Sequence, residues 1–208
     1  MTSVAGTIHV NSLPLRKRLV AVATRRFGHP WMPMALYLPL GALLFAIAQH
    51  LHPRSLSTAC LWVAGGVLLW TLVEYLLHRF IFHWVEVKEP YRSLASGLHM
   101  AHHRTADTQD LILAPPVVSL IFGSFLLGLF TLLTWSFSRA ALLEAGIFLG
   151  YLAYEWVHYG AHRFKPRTPW GKFLKHYHLR HHFKDPRHCY GVTSPLWDWV
   201  FGSTSIRK

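Results

Sequence analysis

Four runs of apolar residues, at about 31–49, 56–77, 111–137 and 140–157, constrain this 208-residue chain more than any other feature. A helix needs ~17–25 apolar residues to cross the hydrocarbon core of a bilayer, and each run is near or above that length. Only 14% of the residues are charged, against the ~25% usual in a soluble domain. The expected fold is therefore all-α integral membrane, with four transmembrane helices. The third run carries Pro115 and Pro116 near its start, so its first turn is expected to bend or to lie at the interface. Residues 31–208 read as one membrane domain, preceded by a segment of thirty residues.

Charge placement sets an expected orientation. Nineteen of the 21 Lys and Arg residues fall before the first run, between the second and third, or after the fourth; only Arg54 and Arg139 lie in the opposite loops. By the positive-inside rule both termini and the middle loop are cytoplasmic. The net charge of +12 is then mainly a topology signal with a lipid-headgroup contribution. No nucleic-acid-binding module accompanies it, so nucleic acid is not an expected partner. The stretch 13–27 reads as a short basic amphipathic helix on the membrane surface, and no signal peptide is evident. Cys60 falls in a span and Cys189 in the tail, so no disulfide is expected between them.

Ten of the sixteen histidines form four clusters: His78 and His83; His99, His102 and His103; His158 and His162; His178, His181 and His182. Neutral imidazole is the commonest side-chain metal ligand. One metal rarely takes more than about six donors, so ten convergent imidazoles would hold two metals. The four spans put every cluster on the same side of the membrane. The helices carrying His78 and His158 would rise as stalks, with the segments 78–110 and 158–208 forming a histidine-rich helical cap over a di-metal centre. On a helix, His158 and His162 share a face, and so do the members of each three-histidine cluster. His78 and His83 are five apart, about 140° on a regular helix, and need a helix end, a distortion or two metals reached from different sides. His176 and His188 are the ambiguous members of the set; His9, His29, His50 and His52 read as polar anchors.

Glu74 lies one turn before His78 and Glu155 three residues before His158, both at the cytoplasmic end of a span. Ionisable groups at that depth are costly. A carboxylate that accepts the distal N–H of a metal-bound imidazole would justify the cost, and that role is expected for both. An all-nitrogen donor set suits zinc or non-haem iron, and a structural zinc needs only four ligands. Two irons that bind dioxygen use the whole constellation and would oxidise an unactivated C–H bond. A centre at the interface reaches carbons near a lipid headgroup more easily than carbons deep in an acyl chain.

The histidine pattern, the segment Glu74-Tyr75-Leu76-Leu77-His78-Arg79-Phe80 and the tail from Tyr190 through Trp197 and Asp198 to Gly202 resemble the fatty acid hydroxylase (sterol desaturase-like) superfamily, and within it the fatty acid 2-hydroxylases. The resemblance covers about 70–202, and the ten histidines match the family's metal ligands cluster by cluster. It implies a membrane di-metal oxygenase that inserts one oxygen atom from O2 at C2 of a fatty acyl chain, free or within ceramide. It further implies iron in the active enzyme, with zinc able to take its place during purification. Many eukaryotic members carry an N-terminal cytochrome b5 domain with a His-Pro-Gly-Gly haem motif; here His29-Pro30 continues as Trp31-Met32. The reductant is therefore expected to be a separate cytochrome b5- or ferredoxin-like protein docking on the basic face. Compact relatives are expected in a bacterial inner membrane more than in the endoplasmic reticulum. Rival readings are a sterol or carotenoid hydroxylase or desaturase of the same superfamily and, from another class, a metal transporter or sensor. A transporter would place ligands near mid-membrane and on both faces.

Overall fold

The computed structural model describes residues 29–83, 94–106 and 112–204, and among these it contains helices and no strand. In chain order they are α1 (Met32–Leu51), α2 (Leu56–Leu76) running on into a π-helical turn (Leu77–Phe82), α3 (Leu94–Arg104), α4 (Pro116–Thr134), α5 (Phe137–Arg163), α6 (Pro169–Phe183) and the short α7 (Leu196–Val200). Side chains start several of them. The hydroxyls of Ser55, Ser136 and Thr168 accept from the backbone N–H groups of Thr58, Arg139 and Gly171, and α1, α4 and α6 carry Pro in the first turn.

α1, α2 with its π turn, α4 and α5 are long and apolar enough to cross a membrane. They are not equivalent. The most apolar window of α5 is 72% buried within the protein, against 11–17% for the other three. α5 is thus a central mast packed against α1, α2 and α4, which turn residues such as Leu61, Ile121 and Leu132 outward as a lipid-facing surface should. Lipid tails are as apolar as leucine, so close packing must hold such a bundle together. The crossing of α2 and α5 shows how. A Cβ on Gly66 would lie 2.1 Å from the Leu143 carbonyl oxygen, and one on Gly146 would lie 2.0 Å from that of Val63. Only glycine at both positions lets the two backbones approach this closely. Around and beyond this crossing, Trp70, Phe130, Ile147, Phe148 and Tyr151 fill the core.

The helices depart from the apolar runs in ways that matter. α4 starts at Pro116 and ends at Thr134, not over 111–137. Proline lacks the N–H that helix interiors need, so the helix begins there, and Ile112 and Leu113 pack as non-helical backbone beside Tyr159. α5 continues six residues past the expected end at 157, which puts His158 and His162 on the mast itself. The N-terminal segment, including the expected amphipathic helix 13–27, lies outside the described residues, as do 84–93 with Lys88 and Arg92.

Candidate metal centre

The two stalks solve the same problem with different helices. On α5, His158 and His162 are four apart and share a face by ordinary α geometry. On α2 the histidines are five apart, and the π turn closes the gap: the His83 N–H donates to the His78 carbonyl at 3.2 Å, an i→i+5 bond. One added residue per turn brings His83 back above His78.

The ten clustered histidines meet in two groups of five. His78, His83, His99, His103 and His181 form the first, and His102, His158, His162, His178 and His182 the second; within each, one nitrogen per ring lies within 4.8 Å of every other. Each group takes a stalk pair, an i, i+4 pair from one cap helix and a single histidine from the other. His102 of α3 and His181 of α6, each at the i+3 position of its cluster, are exchanged between the groups. The three-histidine clusters therefore do not each serve one metal from a common face; each is split between both groups. His103 and His182 stack at 4.0 Å between ring centroids where the groups adjoin. His176 is exposed and joins neither group; His188 joins neither through its ring, and its carbonyl accepts from His181 Nδ1 at 2.7 Å.

The spacing of the nitrogens tests the fit to a metal. In the first group the Nε2 atoms of His78 and His99 are 3.2 Å apart, His83 and His99 2.9 Å, His99 and His103 3.0 Å, and His83 and His181 2.8 Å. In the second, His102 and His158 are 3.0 Å apart and His162 and His178 2.9 Å. Two nitrogens bound at ~2.1 Å and at right angles lie ~3.0 Å apart, so these spacings match those of neighbouring ligands on one metal. Ring tautomers agree: His78 Nδ1 donates to the Tyr190 carbonyl and His181 Nδ1 to that of His188, leaving both Nε2 lone pairs aimed inward. Burial keeps the cap imidazoles uncharged, as ligation requires. It pushes His83 and His102 down to about 3 and His103 to about 4, with neighbouring histidines adding to the shift of the first two. His99, His178, His181 and His182 move in the same direction for the same reason.

Neither carboxylate expected to hold an imidazole does so. Glu74 accepts from the backbone N–H groups of Val192 and Thr193 and from the Thr193 hydroxyl. Glu155 accepts from the Tyr151 hydroxyl and from the Ala114 N–H at 3.1 Å. For His78 and His181 backbone carbonyls take the ring N–H, and both carboxylates hold backbone N–H groups instead. Asp198, wholly buried, completes this arrangement: it accepts from the N–H groups of Tyr190 at 3.0 Å and Gly191 at 2.7 Å and from the Ser203 hydroxyl at 2.8 Å. Glu74 and Asp198 together fix the segment whose Tyr190 carbonyl orients His78. The sequence places Asp198 in the family-like tail without assigning it a role; a lone acid between two tryptophans was the available signal.

Below the histidines lies a cavity of about 200 Å³, reached by His99, His102 and His158 at its upper end. Its walls are apolar side chains from α2, α4 and α5, including Leu77, Phe122 and Ile147, and the paired hydroxyls of Tyr37 and Ser119 also face it.

Residues 63–203 match the family described as fatty acid hydroxylase. The chain is 42% identical over 174 residues to dihydroceramide fatty acyl 2-hydroxylase FAH2 of Arabidopsis thaliana, covering 83% of this chain and 72% of that protein. It is 34% identical over 177 residues to ceramide very long chain fatty acid hydroxylase SCS7 of Saccharomyces cerevisiae, covering 83% of this chain and 43% of that protein. It is 35% identical over 144 residues to the fatty acid 2-hydroxylase of Rattus norvegicus, covering 65% of this chain and 37% of that protein. It thus spans under half the length of the yeast and rat proteins. A solved structure of full-length scs7p, in which only the hydroxylase domain is visible, superposes with a TM-score of 0.75 at 32% identity, over 84% of this chain and 66% of that one.

Proposed function

Because the chain belongs to the fatty acid hydroxylase family, an oxygen-dependent group of hydroxylating enzymes, we propose that it hydroxylates a membrane lipid at C2 of a fatty acyl chain. The observation that carries this reading is the meeting of two five-imidazole groups with the upper end of one apolar cavity. His78, His83, His99, His103 and His181 would hold one iron and His102, His158, His162, His178 and His182 the other. Such a pair supplies the oxidising power to replace a C–H bond by C–OH with one atom of O2, while two electrons and two protons take the other atom to water.

The chain's own residues do the rest. The carbonyls of Tyr190 and His188 fix two ring orientations, and Glu74 and Asp198 hold the Tyr190 segment in place. The cavity walls exclude water and align an acyl chain along α5, with its headgroup-proximal carbons nearest the histidines. That alignment favours oxidation close to the headgroup. In our reading the cap faces the cytoplasm, where positive charge accumulates. Lys165, Arg167, Lys172, Lys184 and Arg187 are exposed on it and suit an acidic cytochrome b5- or ferredoxin-like donor. The plant, yeast and rat relatives are eukaryotic, so they do not favour a bacterial inner membrane over the endoplasmic reticulum. A metal transporter is disfavoured, since among the described residues both metal-competent groups lie at one end of the bundle.

The test is expression in a host of defined lipid composition with a competent reductase, followed by mass analysis of its lipids. The expected result is a lipid heavier by one oxygen at C2, absent with His158→Ala. An unchanged lipid profile from a metal-loaded wild-type protein would contradict the reading.

A further inference from the structure

The same cavity has a second end. On α5 one stripe of residues lines it, from His158 through Tyr154, Tyr151, Phe148 and Ile147 down to Glu144. Fourteen residues separate the two ends, about 21 Å along a helix. One leaflet accounts for only ~15 Å, half of the hydrocarbon core. Glu144 therefore meets chain atoms far from the headgroup. It is buried, at 1% exposure, and neither carboxyl oxygen has a hydrogen-bond partner among the described residues. This contrasts with Glu74 and Glu155, which both hold backbone. Gly123 of α4 packs beside it: a Cβ there would stand 3.0 Å from Glu144 Oε1, so any larger residue at 123 would crowd the carboxyl. The other lining residues with an unpartnered polar atom, Trp70, His102 and His158, lie higher, Trp70 beside Tyr151 and Tyr154 and the two histidines among the metal-competent rings.

A buried polar group without a partner is costly, and a methyl-terminated chain lying against it leaves that cost in place. A hydroxyl on the chain removes it. The geometry points to Glu144 as a specificity-determining residue that selects long acyl chains bearing a hydroxyl near their distal end; this rests on the lipid-hydroxylase reading above. The carboxyl pairs with that hydroxyl, and the chain is thereby held in register with its headgroup-proximal carbons at the histidines. A pocket built to hydrogen-bond a hydroxyl discriminates against the analogue that lacks it far better than an apolar pocket discriminates between chain lengths.

The test measures retention and does not require turnover. Purified full-length protein is equilibrated with equimolar pairs of palmitic, stearic, arachidic or lignoceric acid and the corresponding ω-hydroxy acid, and the retained lipids are extracted and quantified. At the chain length that reaches Glu144, wild type is expected to retain the hydroxy acid about tenfold over its partner, the effect of one added hydrogen bond. Glu144→Leu should abolish that preference yet still retain the methyl-terminated acid, and Glu144→Gln should keep part of it. Gly123→Ser, which sets a hydroxyl against the carboxyl from the opposite helix, should also remove the preference without touching Glu144. Equal retention by wild type, or a preference that survives Glu144→Leu or Gly123→Ser, overturns the assignment of Glu144 and leaves the hydroxylase reading standing. Retention of neither acid by wild type would overturn both.

Discussion

The two five-histidine groups have the same donor count and different supports. The first stands on a π turn and is tied to the tail, with His78 donating to the Tyr190 carbonyl 112 residues away and His181 to the His188 carbonyl seven residues on. The second stands on a regular stretch of the buried mast, and the Nδ1 atoms of His102, His178 and His182 have no hydrogen-bond partner among the described residues. An outer hydrogen bond fixes ring orientation and raises ligand basicity. The first group is thus positioned by a hydrogen-bonded segment at residues 190–193, the second by packing around α5. Two metal sites can be equal in ligands and depend on different parts of the fold.

The largest expected effect erases the difference. His78→Ala and His158→Ala should each reduce lipid hydroxylation by more than about a hundredfold, since losing an outer partner alone costs 10–100-fold. A variant of either kind with near-wild-type turnover would mean that one group suffices. A smaller change should separate the groups. Glu74→Gln presents an amide to N–H donors, loosens the Val192–Thr193 backbone and is expected to weaken metal binding 10–100-fold in the first group only. Metal titration would read this as one unchanged site and one weakened site; equal weakening of both would break the comparison.

Acid should strike both groups alike. His83 and His103 of the first group and His102 of the second have pKa values pushed down to about 3–4 by burial, below the ~6.5 of an unfolded chain. Below pH ~6.5 the unfolded chain takes up protons that the folded one refuses, so the stability of the metal-free protein is complete above that pH and falls toward pH 4. Melting temperatures across this range check it, and a flat profile would contradict the burial of these rings. The smallest effect belongs outside both groups. His176→Ala removes an exposed ring and should alter stability by less than ~0.5 kcal/mol, with metal content unchanged.

How much of this could be read in advance depended on range. Spans show as long apolar runs because the bilayer demands them, and helical spacing marks His158 with His162 as a pair. The five-residue gap between His78 and His83 announced a distortion without saying which; the π turn is one of several ways to close it. Exchange of His102 and His181 was invisible, because it follows from how α3 and α6 interlock rather than from spacing within either. Glu74 was recognised as costly and given the wrong partner: its donors lie 118 and 119 residues away. Glu144 drew no attention as a single acid in an apolar run, and only the cavity gives it a role.

The central claim is that each five-histidine group holds its own metal. Metal analysis of the purified full-length chain, with iron supplied during expression, tests it most directly when wild type is run beside His78→Ala and His158→Ala. The account predicts two metals per chain in wild type and a single remaining metal in each variant, located by anomalous scattering in the group left intact. One metal in wild type, or loss of the same metal from both variants, would contradict it.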